Sequence, residues 1–344
     1  MPKEKQLVKT ILIVTDNLLD QVNGVVTTFT NVEKQALKNN YKISYIDPSL
    51  FFYFSALGYP EVKISIPFNV GKIFERINPD YIHIATEGPV GRAVRRYCNK
   101  KGYNYNTSYH TKFPEFLKEI YGIPESLTYK YVRWFHKDSK KVLTTTQTMV
   151  DELKSNGFTA DVIPWTRGVD TEIFSDITRE VSKGQTILYV GRVSKEKGID
   201  DLCNINSEIL DYRIQIVGDG PYRKELETKY PHIEFVGYKK GKELAQYYRN
   251  ADVLCFPSRT DTFGIVMIES MSMGTPVAAY PVAGPIDVIE QGVTGFMDKN
   301  LELAILDCML LERDDVEEHS KKWTWENCWK IFEENLVYKY NYIK

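Results

Sequence analysis

Short β-branched apolar runs recur along this chain with amphipathic, helix-period stretches between them, and few architectures accept that order. TILIVTD (10–16), KISYID (42–47), YIHIATE (81–87), YNTSYHT (105–111) and KVLTTT (141–146) read as strands. TTFTNVEKQALKNN and GRAVRRYCNKKG read as helices, the second closing on Gly102. The pattern resumes with TILYVGR (186–192), RIQIVGDG (213–220), IEFVGY (233–238), DVLCFPS (252–258) and TPVAAYP (275–281). Strands alternating with helices imply βαβ units and parallel sheets. So many strands in two sets predict an α/β chain of two doubly wound domains rather than one sheet. At 344 residues the chain has the length for two. Periodicity fails between Trp165 and Gly184, which divides the chain into residues 1–165 and 166–322. The closing segment WTWENCWKIFEENLVYKY reads as an aromatic-rich helix.

Composition narrows the class. The net charge is −2, with 43% hydrophobic and 26% charged residues, ordinary for a globular chain with a sizeable core. No apolar run reaches the roughly 18 residues of a membrane span. The N-terminal apolar run meets Asp16 too soon for a signal peptide. Five scattered cysteines, an odd number, suggest free thiols in a reducing cytoplasm. The five histidines lack metal-ligand spacing, so no protein-built metal site is expected. The charge is divided unevenly: residues 1–165 carry a net +6 and the remainder −8. Basic residues cluster at Arg92, Arg95, Arg96, Lys100 and Lys101, and again at Lys137, Lys140 and Lys141. Such a half can meet nucleic acid, an anionic membrane or an anionic substrate, or it can simply be a solvated helix face. Stacking aromatics are not interleaved with these clusters, which argues against nucleic acid.

Open α/β sheets bind ligands beyond the carboxyl ends of their strands, so two facing sheets would make an interdomain cleft lined by strand ends. In PSRTDTFGIVMIESMSMGTP (257–276), RTDT is a loop and a helix starts near Thr262 or Phe263, stopping at Gly274 and Pro276. Its first amides carry the positive end of the helix dipole and can hold a phosphate or a sugar hydroxyl. Gly264 would allow close ligand approach. Asp261 and Glu269, eight positions apart, would be separated by about 12 Å if the helix covers the interval. Alternatively Asp261 only caps the helix and Glu269 is an ordinary satisfied polar residue. In LYVGRVSKEKG, Gly191 ends a strand, and Arg192 and Lys197 can hold a diphosphate or be surface charges. Gly218 and Gly220 of VGDGP are half of a dinucleotide fingerprint, with Arg223 where the third glycine belongs and Pro221 suited to a first helical position. In the first half, Asn23 and Gly24 form a turn before a helix and offer exposed amides. His110 ends a strand, as do Glu87, Gly88 and Pro89. PSLFFYFSALGYP (48–60) has four consecutive aromatics and no charge. Pro48, Gly58 and Pro60 suggest a loop suited to membrane contact, with a core strand as the alternative.

Together these motifs resemble retaining glycosyltransferase family 4, of GT-B fold, over nearly the whole chain. GRVSKEKG resembles that family's phosphate loop, and Asp261 to Glu269 its E-x7-E signature, with Asp in the first place. SRTDTFG, TEGPVG, SYHTKFPEF and RGVDTEIF are similar to a narrower branch. That branch holds GDP-mannose-dependent α-mannosyltransferases, sulfoquinovosyl-diacylglycerol synthases and bacterial glucosyl- or glucuronosyl-diacylglycerol synthases, and PVAAYPVAGPIDVI fits the last group.

The resemblance implies roles residue by residue. Asn23, Gly24 and Val25 would lie near the donor diphosphate, and His110 near the reacting centre. Gly191 and Gly218 would line the donor site, and Arg192 and Lys197 would neutralise the leaving diphosphate. Asp261 with the amides of Thr262, Phe263, Gly264 and Ile265 would clamp the sugar. Glu269 would bind the ribose, and Val236 and Gly237 the base. Glu87 would face the acceptor, and Phe51, Phe52 and Phe54 a membrane. The C-terminal segment (323–344) would cross back to the first domain.

The function implied is α-retaining, metal-independent transfer of a hexose, glucose or glucuronate favoured, from a nucleoside diphosphate sugar to a lipid acceptor such as diacylglycerol. UDP is the favoured nucleotide, with GDP the alternative, and no cofactor is required. The implied location is the inner face of the cell membrane, reached from the cytoplasm. The rival readings are a GDP-mannose-dependent mannosyltransferase, an NAD oxidoreductase, which the missing third glycine disfavours, and a non-catalytic nucleotide-sugar or nucleic-acid binding module.

Overall fold

The computed structural model describes residues 8–21, 23–56, 59–180, 184–205 and 212–341. The chain divides into two units: residues 1–166 with 325–344, and residues 167–324. Each is built around a parallel sheet of six strands.

Unit 1 runs β1 (Lys9–Val14), α1 (Gly24–Lys38), β2 (Tyr41–Ile46), β3 (Phe52–Ala56), β4 (Tyr59–Ile66), α2 (Val70–Ile77), β5 (Tyr81–Ile84) and α3 (Pro89–Lys101). It continues with β6 (Asn106–Tyr109), α4 (Phe113–Tyr121), α5 (Glu125–His136), β7 (Lys141–Thr144), α6 (Gln147–Ser155) and β8 (Asp161–Pro164). The sheet order is β2-β1-β5-β6-β7-β8. Its central strands are covered on both faces, which is why they read as unbroken apolar runs. Ile11, Leu12, Ile13 and Val14 of β1 are all inaccessible to solvent. Each such side chain stabilises the fold by roughly 1.5–3 kcal/mol relative to an exposed one.

Unit 2 runs β9 (Gln185–Val190), α7 (Ile199–Cys203), β10 (Tyr212–Val217), α8 (Arg223–Lys229), β11 (Glu234–Gly237), α9 (Gly241–Asn250), β12 (Val253–Phe256) and α10 (Ile265–Ser272). It closes with β13 (Val277–Ala279), α11 (Pro285–Val288), β14 (Gly295–Met297), α12 (Leu301–Cys308) and α13 (Arg313–Ser320). The order is β11-β10-β9-β12-β13-β14. The last helix, α14 (Trp325–Glu334), packs on α1 in unit 1. Trp165 Nε1 donates to Cys328 O at 2.9 Å, and Asn106 donates to Asn335 O at 2.7 Å. All five cysteines are buried free thiols.

Five expectations need correction. The described residues of 48–60 are not a loop: Pro48–Leu50 form a 3₁₀ turn, and β3 pairs antiparallel with β4 as an aromatic hairpin. Gly58 lies outside the described residues. Phe51 points into the core against Phe68 rather than toward solvent. The helix after Asp261 begins at Ile265, two or three residues later than expected, because Gly264 sits in the left-handed region and starts it. The C-terminal helix stops at Glu334, and Tyr338 bridges to Tyr81 instead. Pro221 is not the first residue of a helix, since α8 begins at Arg223.

Candidate active site

In unit 2 the order of strands reverses between β9 and β12, which are paired neighbours. A ligand site in such a sheet lies beyond the carboxyl ends at this switch point. Both informative loops leave from here: Gly191–Gly198 after β9, and Pro257–Gly264 after β12. The strand ends are unusually crowded. Gly191 N donates to Val217 O at 3.0 Å, and Gly218 N to Gly237 O at 2.9 Å. A Cβ on Gly218 would lie 1.8 Å from Gly191 O, and one on Gly220 would lie 2.3 Å from Val193 O. The glycines of VGDGP therefore serve backbone contact between strand ends. Gly237 (φ +82°) completes this edge, while the Val236 side chain packs on the unit's core.

Lys197 and Asp261 meet across the switch point, Nζ to Oδ1, at 2.5 Å. Lys197 closes a 3₁₀ turn (Lys195–Lys197) that ends at Gly198, in the left-handed region and 2.8 Å from Pro257 O at its notional Cβ. The two loops are thus in backbone contact. Tyr189 ties in the third residue: its hydroxyl donates to Arg192 O at 2.8 Å. Burial, followed by the charges of Asp261 and Glu196, holds the Tyr189 phenol well above its ordinary pKa. Lys197 and Asp261 are direct partners rather than independent groups, and Arg192 lies on the same loop as Lys197 with its carbonyl fixed by Tyr189.

Beyond Asp261 the chain is pinned. Phe263 is buried edge-to-face on Trp323 at 5.5 Å, and Thr262 is also buried. A side chain at Gly264 would meet the Phe256 ring at 2.7 Å, so this glycine is required by core packing as well as by its φ of +79°. Ile265 and Val266 open α10, and first-turn amides have no acceptor within the helix. Glu269 lies inside α10, half-buried, accepting from Tyr248 Oη at 2.8 Å. Burial raises its pKa to about 7, partly offset by that hydrogen bond. Since α10 covers only part of the interval, the 12 Å helical separation of Asp261 and Glu269 does not apply. Gly284 (φ +94°), within PVAAYPVAGPIDVI, sits with its notional Cβ 2.8 Å from Asp261 O and braces the Asp261 loop from the start of α11.

Unit 1 has its own switch point, between β1 and β5. Asp16, just past β1, takes it over. Its carboxylate accepts from Thr86 Oγ1 and Val90 N, both at 2.7 Å, capping α3. Burial raises its pKa to about 6 despite those bonds. Asp16 was missed in the sequence, where it reads only as the residue that ends a strand. Glu87 accepts from the fully buried His136 at 3.2 Å, and His136 Nδ1 meets Thr107 Oγ1 at 2.7 Å. His110 follows β6, its ring packed on Phe29 and Trp165, each at 5.9 Å between centroids. Asn23 is the N-cap of α1, accepting from Val25 N at 3.1 Å and Val26 N at 3.0 Å. Those amides are held by the cap rather than presented as an exposed set, and Gly24 opens the helix with open space at its Cβ.

Two parallel doubly wound sheets, the second carrying cations and helix amides at its switch point, define a GT-B glycosyltransferase architecture. Comparison with solved structures agrees. Sucrose-phosphate synthase from Thermosynechococcus elongatus matches with a TM-score of 0.77 over 95% of this chain and 98% of that one, at 16% identity. Anabaena HepE, solved with UDP-glucose, matches with a TM-score of 0.70 over 94% and 98%, at 15% identity. The profile "Glycosyltransferase Family 4" matches residues 22–173, and "Glycosyl transferases group 1" residues 184–309. The chain belongs to this family of glycosyltransferases, enzymes that use nucleotide sugars. Among its relatives, a GDP-mannose-dependent alpha-mannosyltransferase of Corynebacterium glutamicum is 26% identical over 83% of this chain and 76% of its own. Sulfoquinovosyl transferase SQD2 of Arabidopsis thaliana is 30% identical over 70% of this chain, which spans about half (51%) of SQD2. The alpha-monoglucosyldiacylglycerol synthase of Streptococcus pneumoniae is 24% identical over 94% and 82%.

Proposed function

We propose that this enzyme moves a hexosyl group, with retention, from a UDP-sugar to the hydroxyl of a lipid such as diacylglycerol. In this reading it works at the inner, anionic face of the cell membrane without a metal or a cofactor. The observation that carries the donor half is the Lys197–Asp261 pair at the unit 2 switch point, between the loop that also carries Arg192 and the loop that leads into α10. An ammonium has three donors, so Lys197 can keep Asp261 and still reach a phosphate oxygen. As the bond from the anomeric carbon to the β-phosphate oxygen breaks, negative charge grows on that phosphate. Arg192, Lys197 and the α10 amides are set to receive it without reorganising, and such preorganised electrostatics is usually the largest catalytic term. Asp261 orients the sugar through a hydroxyl, and Glu269 binds the ribose. The acceptor oxygen attacks the anomeric carbon on the face the diphosphate leaves. Its proton passes to the departing phosphate oxygen, so no carboxylate nucleophile is needed. Glu87, held by His136, orients the acceptor hydroxyl, and His110 contacts the donor sugar.

The lipid acceptor and glucose rest on the name of the alpha-monoglucosyldiacylglycerol synthase, and glucuronate on the motif resemblance alone. The relatives that use GDP-mannose support a second reading, mannosyl transfer. A thermal-shift panel of UDP- and GDP-sugars, followed by release of the nucleoside diphosphate with diacylglycerol as acceptor, tests both. Stabilisation by UDP-glucose or UDP-glucuronate and acceptor-dependent release supports the first. Stabilisation by GDP-mannose alone supports the second.

A further inference from the structure

The β3–β4 hairpin forms a two-stranded sheet of its own, and Phe52, Phe54, Ile64 and Ile66 among its described side chains are exposed. Phe52 pairs directly with Ile66, and Phe54 with Ile64, so the four side chains share one face. They are 67%, 55%, 47% and 37% exposed, with Phe68 at 56% and Leu50 at 44% alongside. Contiguous apolar surface of this kind marks an interaction site. Next to it, α3 packs against β4. Val90, Val94 and Cys98 of α3 go to the core, while Arg92, Arg96 and Lys100 recur every fourth residue along an exposed stripe.

We infer that this hairpin and the basic stripe of α3 together dock unit 1 on an anionic lipid bilayer. The aromatic and aliphatic face enters the headgroup–acyl boundary, and Arg92, Arg96 and Lys100 meet the negative surface charge. Peripheral binding needs two such signals, since one short apolar element holds only marginally. The neighbouring charge also selects this occupant over a second copy of the chain. A two-fold contact through the hairpin would bring two basic stripes toward each other, and like charges oppose it. The inference deepens the lipid-acceptor reading and rests on it for its purpose.

The full chain is sedimented with vesicles of phosphatidylcholine alone or mixed with phosphatidylglycerol, without donor or diacylglycerol. Binding is expected to the mixed vesicles, and to weaken on raising salt from about 0.1 M to about 0.5 M. Phe52→Ser with Phe54→Ser should lower partition at least about tenfold, with the thermal midpoint little changed because both side chains are exposed. Arg92→Gln, Arg96→Gln and Lys100→Gln together should lower it about a hundredfold, near fivefold per charge. Equal partition of wild type and the double variant overturns the inference. So does wild-type self-association abolished by the double variant without any vesicle binding. Glycosyl transfer to detergent-dispersed diacylglycerol by a chain that ignores vesicles sinks this inference and spares the acceptor reading. Vesicle binding without transfer does the reverse.

Discussion

Tyr248 donates its hydroxyl to the Glu269 carboxylate across 2.8 Å, and burial of that carboxylate still raises its pKa from 4.5 to about 7. Between those values the folded chain holds the proton more tightly than the unfolded chain does. This group's contribution to stability therefore falls as pH rises from about 4.5 to about 7. Glu269→Gln removes the charge, so its thermal midpoint should vary less with pH across that window and should exceed wild type near pH 8. Donor binding runs the other way, because the ionised carboxylate is the better acceptor for ribose hydroxyls. Wild-type donor affinity should weaken about tenfold from about pH 8 to about pH 6, while that of the Gln variant is weaker and flat. Parallel pH curves for the two proteins would refute the ribose role.

Gly218 and Gly191 approach too closely for any side chain. Gly218→Ala places a Cβ 1.8 Å from the Gly191 carbonyl, backbone against backbone, in a φ of +140° that L-residues rarely adopt. Strand ends β9 and β10 must part to accept it. The loss of stability should be about 1–3 kcal/mol or more, read by denaturant unfolding. Gly24→Ala, with open space at its Cβ, should cost far less.

The proposal that Arg192 and Lys197 carry the diphosphate requires no metal ion for its departure. Turnover should survive millimolar EDTA with its rate within about twofold, since these cations supply the charge that a metal clamp supplies elsewhere. Abolition by EDTA, restored by magnesium or manganese, would contradict this.

The parallel strands were legible because burial on both faces leaves an apolar run that needs no partner to be recognised. TILIVTD became β1 and TILYVGR became β9, each with its carboxyl end near the expected place. DVIP and GFM, now β8 and β14, were missed. The first is bounded by Asp161 and Pro164, and the second is three residues long and begins with a glycine whose Cβ would strike Val277 O at 2.1 Å. The hairpin escaped because its aromatics alternate only in concert with β4, a long-range pairing invisible in a local window. Residue types mark Arg192, Lys197, Asp261 and Glu269 as candidates, but nothing in their spacing announces partners. Lys197 and Asp261 are 64 positions apart and meet only because β9 and β12 are neighbours. Asp16 and the His136 behind Glu87 act through other residues, and a lone acid or histidine carries no pattern.

The account stands on charge at the unit 2 switch point receiving the charge of the departing diphosphate. Single-turnover release of nucleoside diphosphate, measured for Arg192→Ala and Lys197→Ala at saturating donor and acceptor, tests it most directly. Each variant should release it 10²–10³-fold more slowly, about 2.7–4 kcal/mol of lost transition-state stabilisation. A loss below about threefold in both would contradict the assignment.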